Sequence, residues 1–274
     1  MEVTRFAPSP NGSLHLGHAF AAIVAHDIAR SRDGRFFLRI EDIDGPRCKP
    51  EYEAGIYDDL RWLGLRWETP VMRQSDRLAA YEGALAHLYN LGLTYHCTCT
   101  RGDIKAALSA PQEGAPVMGP DGPIYPGTCR GKGHSAGVLR LDMAAAMARL
   151  GEIRFSETGT RAGAHLYSAS DMVESVGDIV LARRDIGTSY HIAVVVDDAA
   201  QGITEVTRGE DLFEATAIHV VLQRLLDLPT PAYHHHRLIR DDQGKRLAKR
   251  DDARALAKYR AEGATPEDIR RMVG

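Results

Sequence analysis

Cysteine and tryptophan are scarce in this sequence, four and two among 274 residues. So few thiols, in a chain that opens without a secretory leader, exclude a disulfide framework as the basis of the fold. No run of about 18 apolar residues occurs, so a membrane span is not expected. The opening MEVTRFAPSPNG lacks the basic and apolar regions of a signal peptide, which makes the cytoplasm the expected location. A basic excess is missing as well: 34 Lys and Arg stand against 37 Asp and Glu, a formal net charge of −3. Indiscriminate nucleic-acid binding is therefore excluded, while a local basic patch between Arg237 and Arg271 is not. Low-complexity tracts and internal repeats are absent. With 44% hydrophobic and 26% charged residues the composition is globular, and the length fits one large α/β domain or a core carrying an inserted module.

The chain opens with VTRFAPSP, an extended run in which Pro8 and Pro10 keep helix from starting. Asn11, Gly12 and Ser13 supply a turn and candidate caps for an amphipathic helix over 14–29. RFFLRI then reads as a strand ended by the acidic turn EDIDGP, the start of a parallel α/β sheet. Helices are expected over 51–65, 76–91 and 212–226. The stretch 111–137 is too rich in Gly and Pro for one regular element and needs a staple. The run at Ile192–Val196, IAVVV, reads as a buried parallel strand. A basic pair of short helices closes the chain.

Chemistry gathers first at His15, Leu16, Gly17 and His18, where a strand has ended and a helix begins. Unpaired amides and the dipole at a helix start attract anions. Two imidazoles one turn apart, with Gly17 permitting close approach, suit a triphosphate, and as donors they steady charge developing at an α-phosphate. Arg5 is a fork suited to a carboxylate, and Glu41 is suited to an ammonium. Cys97, Cys99 and Cys129, with Tyr125, form a Cys-x-Cys…Tyr-x3-Cys pattern. On residue types alone this stretch accommodates either tetrahedral zinc or inert core thiols, with His96 and His134 as competing fourth ligands. Cys48 is remote in sequence and reads as a free thiol. The run His234–His236 reads as structural and not as a metal site.

RFAPSPNGSLHLGH resembles the HIGH signature of class I aminoacyl-tRNA synthetases in their glutamyl form. RIEDIDGPR, YHIAVVVDD, VTRGEDL and RLAKR resemble four further blocks of that family, and all five lie in its order between Arg5 and Arg250. The resemblance implies an α/β fold: a Rossmann-like parallel sheet over 1–96 and 185–240, and an inserted acceptor-type subdomain over 97–184 with a zinc module at 97–129. A KMSKS-like loop and short helical segment would fill 241–274. It also implies ATP-dependent activation of L-glutamate, with Mg²⁺ accompanying ATP. His15, Gly17, His18, Arg246 and Lys249 would bind ATP, with His15, His18 and Lys249 catalytic. Arg5, Phe6, Ala7, Pro8, Ser9, Glu41, Tyr190 and Arg208 would form the glutamate pocket.

Two departures from the family pattern stand out. Arg246 and Ala248 replace a Lys and a Ser in the final signature, from which slower activation or a different loop closure is expected, and not loss of function. Val194 stands where the glutamyl enzymes tend to carry Asn, which implies loss of a polar group from the pocket wall and weaker glutamate binding. The chain also ends soon after Arg250, where a glutamyl-tRNA synthetase continues into an anticodon-binding domain. Truncated paralogues of that enzyme share this length and the same cysteine pattern, which implies one structural Zn²⁺ held by Cys97, Cys99, Tyr125 and Cys129. Those paralogues transfer glutamate to queuosine in the anticodon loop of tRNA-Asp, a splayed single-stranded target. A monomer is expected. The alternatives are a minimal tRNA-Glu charging enzyme and a non-catalytic RNA-binding module on the same scaffold.

Overall fold

The computed structural model describes residues 1–108, 118–240 and 254–274. The first part alternates strand and helix: β1 (Val3–Phe6), α1 (Leu16–Ser31), β2 (Arg35–Ile40), α2 (Pro50–Trp62), β3 (Glu68–Arg73) and α3 (Leu78–Asn90). Then follow β4 (Thr94–Cys97), α4 (Arg101–Leu108), a small hairpin of β5 (Met118–Gly119) and β6 (Gly122–Pro123), and β7 (Val138–Leu141). After α5 (Met143–Leu150) come β8 (Ile153–Glu157), β9 (Gly163–Tyr167), α6 (Ala169–Ser175) and β10 (Val180–Ala182). The chain closes with α7 (Tyr190–Ala200), β11 (Glu205–Gly209), α8 (Thr216–Leu225), β12 (Ala232–His236), α9 (Leu256–Ala261) and α10 (Pro266–Val273).

Strands β1, β2 and β3 pair in parallel, as do β11, β12 and β8, with β9 antiparallel at the edge. The two groups meet where Thr204 N donates to Val3 O at 2.9 Å, and Arg5 on β1 donates to Thr207 O on β11 at 3.1 Å. Alternation along β1 explains what covers each face. Val3 and Arg5 turn to one side, where the core includes residues of α3, α5, α7 and α8. Thr4 and Phe6 turn to the other, where Thr4 Oγ1 donates to Ala25 O of α1 and the core includes residues of α1, α2, α9 and α10. Helices on both faces of a largely parallel sheet make a doubly wound α/β fold, as expected. In such sheets ligands gather beyond the carboxyl ends of the strands, where neighbouring strands lead off in different directions.

Local chemistry sets the first helix. Its cap is His15, not the Asn11–Ser13 turn: the His15 ring accepts from Gly17 N, and the His18 ring accepts from His15 N, a reciprocal capping box. Ala19, Ala22, Ala25 and Ala29 are buried with almost no side chain to displace, so α1 lies close against the sheet.

Residues 192–196 are not a strand. They lie within α7, capped by Ser189 and buried on nearly every side. A short apolar run cannot distinguish a buried strand from a buried helix by periodicity alone. Here the helical spacing is what turns Asp197 and Asp198 toward Arg77 and Arg5.

A second sheet, β10-β7-β4, is antiparallel and carries the cysteine-bearing segment. Gly137 allows this: a Cβ there would lie 2.4 Å from Cys97 O. The boundary expected at residue 184 does not separate two cores. β8, inside the 97–184 segment, pairs with β12, and Phe155 packs against Tyr233 with ring centroids 5.5 Å apart.

Candidate active site at the strand ends

A cavity of about 390 Å³ opens beyond the carboxyl ends of β1, β2, β11 and β12. It is lined by Arg5, Phe6 and Ala7 after β1, by Glu41 after β2, by Arg208 and Gly209 at the end of β11, and by His15, Gly17 and His18 at the start of α1. Tyr190, at the start of α7, completes that wall. Ser9 lies in an adjoining cavity of about 400 Å³ that shares Glu41, Tyr190 and Leu212 with the first, and Pro8 lines neither. Arg246, Ala248 and Lys249 fall outside the described residues.

The α1 end of the cavity presents two imidazoles with centroids 3.8 Å apart. Each accepts a backbone N–H at Nδ1, so a neutral ring carries its proton on Nε2. A Cβ on Gly17 would stand 3.0 Å from the His15 ring. The glycine therefore makes room for the capping histidine itself, besides any ligand.

The opposite wall is built on buried charge. Arg5 meets both oxygens of Asp198, which also accepts from Arg39 at 2.7 Å. Three of the five N–H groups of Arg5 are thus spent inside the protein, and one on each terminal nitrogen remains. Burial raises the Glu41 carboxyl above its usual range, despite the opposing pull of Arg39 and Arg5. A ligand ammonium at this carboxylate would supply the missing stabilisation.

Arg208 is held differently. Nε donates to His235 Nε2 at 3.1 Å, Nη1 to His219 Nδ1 at 2.9 Å, and Nη2 to Thr216 Oγ1 at 2.7 Å. Among the described residues no carboxylate forms an ion pair with it. Two members of the histidine run thus belong to the site: His235 backs Arg208, and His236 lines the cavity. Thr207, Asp211 and the 237–239 segment also line it and were not singled out by sequence. Their signal was position: Thr207 and Asp211 fall in the VTRGEDL block at the end of β11, and 237–239 follow β12 directly. Val194 lines neither cavity and lies on α7 with its side chain in the core, so the expected polar loss from a pocket wall does not arise.

Away from this crevice, Cys97, Cys99 and Cys129 place their sulfurs within 4.8 Å of one another. Tyr125 Oη stands 3.2 Å from Cys97 Sγ and 3.4 Å from Cys99 Sγ, whereas neither His96 nor His134 joins the group. Cys99 Sγ and Cys129 Sγ are 3.4 Å apart, far beyond the roughly 2.05 Å of a disulfide. The hydrogen bond from Tyr125 draws the Cys129 thiol down to about 5, while burial pushes the Tyr125 phenol up. Thiols this close, one already favouring its thiolate, could hold a metal ion. Cys48 is apart from them, at the edge of the second cavity.

A model of the catalytic domain of class I tRNA synthetases (E and Q) matches residues 2–274. The chain is 64% identical to a glutamyl-Q tRNA(Asp) synthetase of Rhodobacter capsulatus, covering 99% of both proteins. It is 42% identical to the one of Nocardia farcinica, covering 97% of this chain and 81% of that protein. Among solved structures, a glutamate-tRNA synthetase from Elizabethkingia anophelis matches with a TM-score of 0.79 at 25% identity, over 99% of this chain and 61% of that one. Mycobacterium tuberculosis methionyl-tRNA synthetase shares the fold, with a TM-score of 0.66 at 11% identity. A match along almost the whole chain, and a relative this similar from end to end, establish that the protein belongs to the class I tRNA synthetases of the E and Q type, within the glutamyl-Q tRNA(Asp) synthetase family.

Proposed function

We propose that this protein activates L-glutamate with ATP and transfers it to queuosine at the wobble position of tRNA-Asp, working in the cytoplasm as a monomer. The observation that carries this reading is one cavity that joins a histidine-flanked helix start to a buried arginine wall, in a chain 64% identical to a glutamyl-Q tRNA(Asp) synthetase.

In this reading glutamate lies against Arg5, Ala7, Glu41, Tyr190 and Arg208, with Ser9 at the edge of the second cavity. Its ammonium faces Glu41 and its side-chain carboxylate faces Arg208. ATP lies over the start of α1, where His15, Gly17 and His18 meet its phosphates, and Lys249 and Arg246 act from the segment that follows Arg240. The α-carboxylate oxygen attacks the α-phosphorus. A new P–O bond forms as the bond to pyrophosphate breaks, giving glutamyl-adenylate. The Nε2 donors of His15 and His18 steady the charge that develops there. Mg²⁺, arriving with ATP, neutralises phosphate charge. A nucleophile of the queuosine base then attacks the glutamyl carbonyl and AMP departs.

The second cavity is the approach for that nucleophile, because it reaches Glu41 and Tyr190 from the side away from α1. Gln74 Oε1 and Thr188 Oγ1 line it, buried and without a hydrogen-bond partner, so it has polar capacity for an acceptor's hydroxyl or amine. Cys97, Cys99, Cys129 and Tyr125 would hold one structural Zn²⁺, which tethers a segment with too little apolar residue content to pack by itself.

Transfer of labelled glutamate to purified tRNA-Asp carrying queuosine or guanine at the wobble position tests this, with tRNA-Glu alongside. Label is expected only on the queuosine form. Label on tRNA-Glu that disappears when periodate destroys the 3′-terminal diol would make the protein a charging enzyme and overturn the proposal.

A further inference from the structure

Behind the glutamate wall lies a hydrogen-bonded chain of side chains from five elements. His191 Nδ1 on α7 is 3.1 Å from His219 Nε2 on α8, and His219 Nδ1 is 2.9 Å from Arg208 Nη1 on β11. On the other side of Arg208, His235 Nε2 on β12 accepts from Nε, and His235 Nδ1 stands 2.6 Å from Glu157 Oε2 on β8. Thr216 Oγ1 accepts from Arg208 Nη2 and lies 3.2 Å from His235 Nε2.

A guanidinium has only hydrogens to offer. Both ring nitrogens that face Arg208 must therefore present lone pairs, which leaves His219 with its proton on Nε2 and His235 with its proton on Nδ1. Each remaining N–H has an acceptor at hand, His191 Nδ1 for the first and Glu157 for the second. Both rings are thus fixed as neutral acceptors by what lies behind them. Burial, reinforced by the Arg208 cation, pushes both imidazoles below their usual range, in agreement with that assignment.

The contrast with Arg5 gives this arrangement its meaning. Arg5 spends its charge on Asp198, whereas Arg208, just as buried, is fully positioned by uncharged partners. Two of its N–H groups, one on each terminal nitrogen, remain for a ligand in the cavity it lines. The carboxylate of this network, Glu157, stands one imidazole away, so the buried cation makes no direct ion pair and is stabilised when an anion reaches it. A ligand carboxylate supplies that anion; a ligand amide does not, and turns its own N–H groups toward the guanidinium if misplaced.

We infer that His219 and His235 are positioning residues that keep Arg208 oriented but uncompensated, and that they thereby make the pocket choose glutamate over glutamine. This rests on the placement of glutamate against Arg208 given under the proposed function.

Three variants at one position separate shape from charge. His219→Asn sets an amide oxygen where Nδ1 stands, His219→Asp sets a charged oxygen at the same place, and His219→Leu removes the acceptor. Amino-acid-dependent ATP–pyrophosphate exchange is measured with glutamate and with glutamine, together with the KM for ATP. The Asn variant should hold the glutamate KM within about threefold of wild type. The Asp and Leu variants should raise it on the order of 10- to 100-fold with the KM for ATP unchanged, and the Asp variant should lose most of the preference over glutamine.

Equal preference for glutamate in the Asn and Asp variants overturns the inference, as does a parallel shift of both KM values in all three. His235→Gln, which keeps an acceptor near Nε2, and His235→Met, which does not, repeat the comparison should the first set fail to fold. Calorimetric binding separates the two readings. Wild type that binds no acidic amino acid overturns both, whereas glutamate binding unchanged across the variants overturns only the role of the histidines.

Discussion

Arg5 on β1 and Asp198 on α7 meet in a two-pronged ion pair, Nε to Oδ1 at 2.9 Å and Nη2 to Oδ2 at 3.2 Å, with both side chains 6% exposed. The same carboxylate holds Arg39, so one anion fixes two cations behind the cavity. Asp198→Asn preserves the outline but leaves both guanidinia short of charge. Removal of one partner from a buried pair typically destabilises by about 3–5 kcal/mol. Urea unfolding should show a loss of that order, and a change under about 0.5 kcal/mol would count against the arrangement.

His15 and His18 share two tasks. His15 caps α1 through its ring, so His15→Ala should lower stability by about 1 kcal/mol as well as impair the phosphate end. His18→Ala removes the other half of the capping box, the acceptor of the His15 N–H, so stability should fall there too. Its adenylate formation should fall roughly 10²–10³-fold, the usual effect of losing one donor to a developing anion. Rapid-quench measurement of adenylate in both variants reads the phosphate end, and unchanged stability in both would contradict the capping role.

Val194→Asn tests the departure from the glutamyl pattern. Because the side chain is 1% exposed within the α7 core, the amide would be buried among apolar neighbours. The expected result is destabilisation of about 1–3 kcal/mol and no improvement in the KM for glutamate. A lowered KM at unchanged stability would mean that the position reaches the pocket after all.

Stability should depend on pH through His235, whose pKa is pushed down to about 4 by burial and by the neighbouring Arg208. In an unfolded chain the ring titrates near 6.5, so between these values the unfolded state binds a proton that the folded state refuses. This contribution is complete above about pH 6.5 and diminishes as the pH falls toward 4, by at most about 1.4 kcal/mol per unit. His219, shifted in the same direction, adds to the trend. Denaturation midpoints measured across this window should fall with pH in wild type and fall less steeply in His235→Gln.

The cysteine cluster makes a prediction about metal content. The purified protein should carry about one zinc per chain by elemental analysis, and a strong chelator should lower its Tm. Cys129→Ser should lose most of the metal. Protein free of zinc, with a Tm indifferent to chelator, would leave the three sulfurs as core thiols.

Much of the fold was legible in short stretches. VTRF, an extended run stopped by prolines, and RFFLRI, ended by an acidic turn, form strands as expected, and the HLGH segment marks a helix start. The cysteine spacing brought three sulfurs together as expected. IAVVV misled because an apolar β-branched run satisfies either a central strand or a wholly buried helix, and only packing against neighbouring helices decides between them. The capping role of His15 was also hidden, because Ser13 is the commoner cap and no spacing rule favours a histidine.

By itself, the sequence determined the order of strands and helices at the start of the chain, the signature blocks that mark its family, and the candidate side chains of the cavity. Those features are local, or depend on residue types at short spacings. Tertiary structure alone decided that, among the described residues, Arg5 meets a carboxylate directly while Arg208 does not, and that the histidine run supplies part of the answer. The partners of Arg5 and Arg208 arrive from as far as 202 and 27 residues away, brought together only when the strands pair and the helices cover them. Hydrogen-bond partnership at that range depends on where the sheet places each backbone, and no pattern in the chain records it.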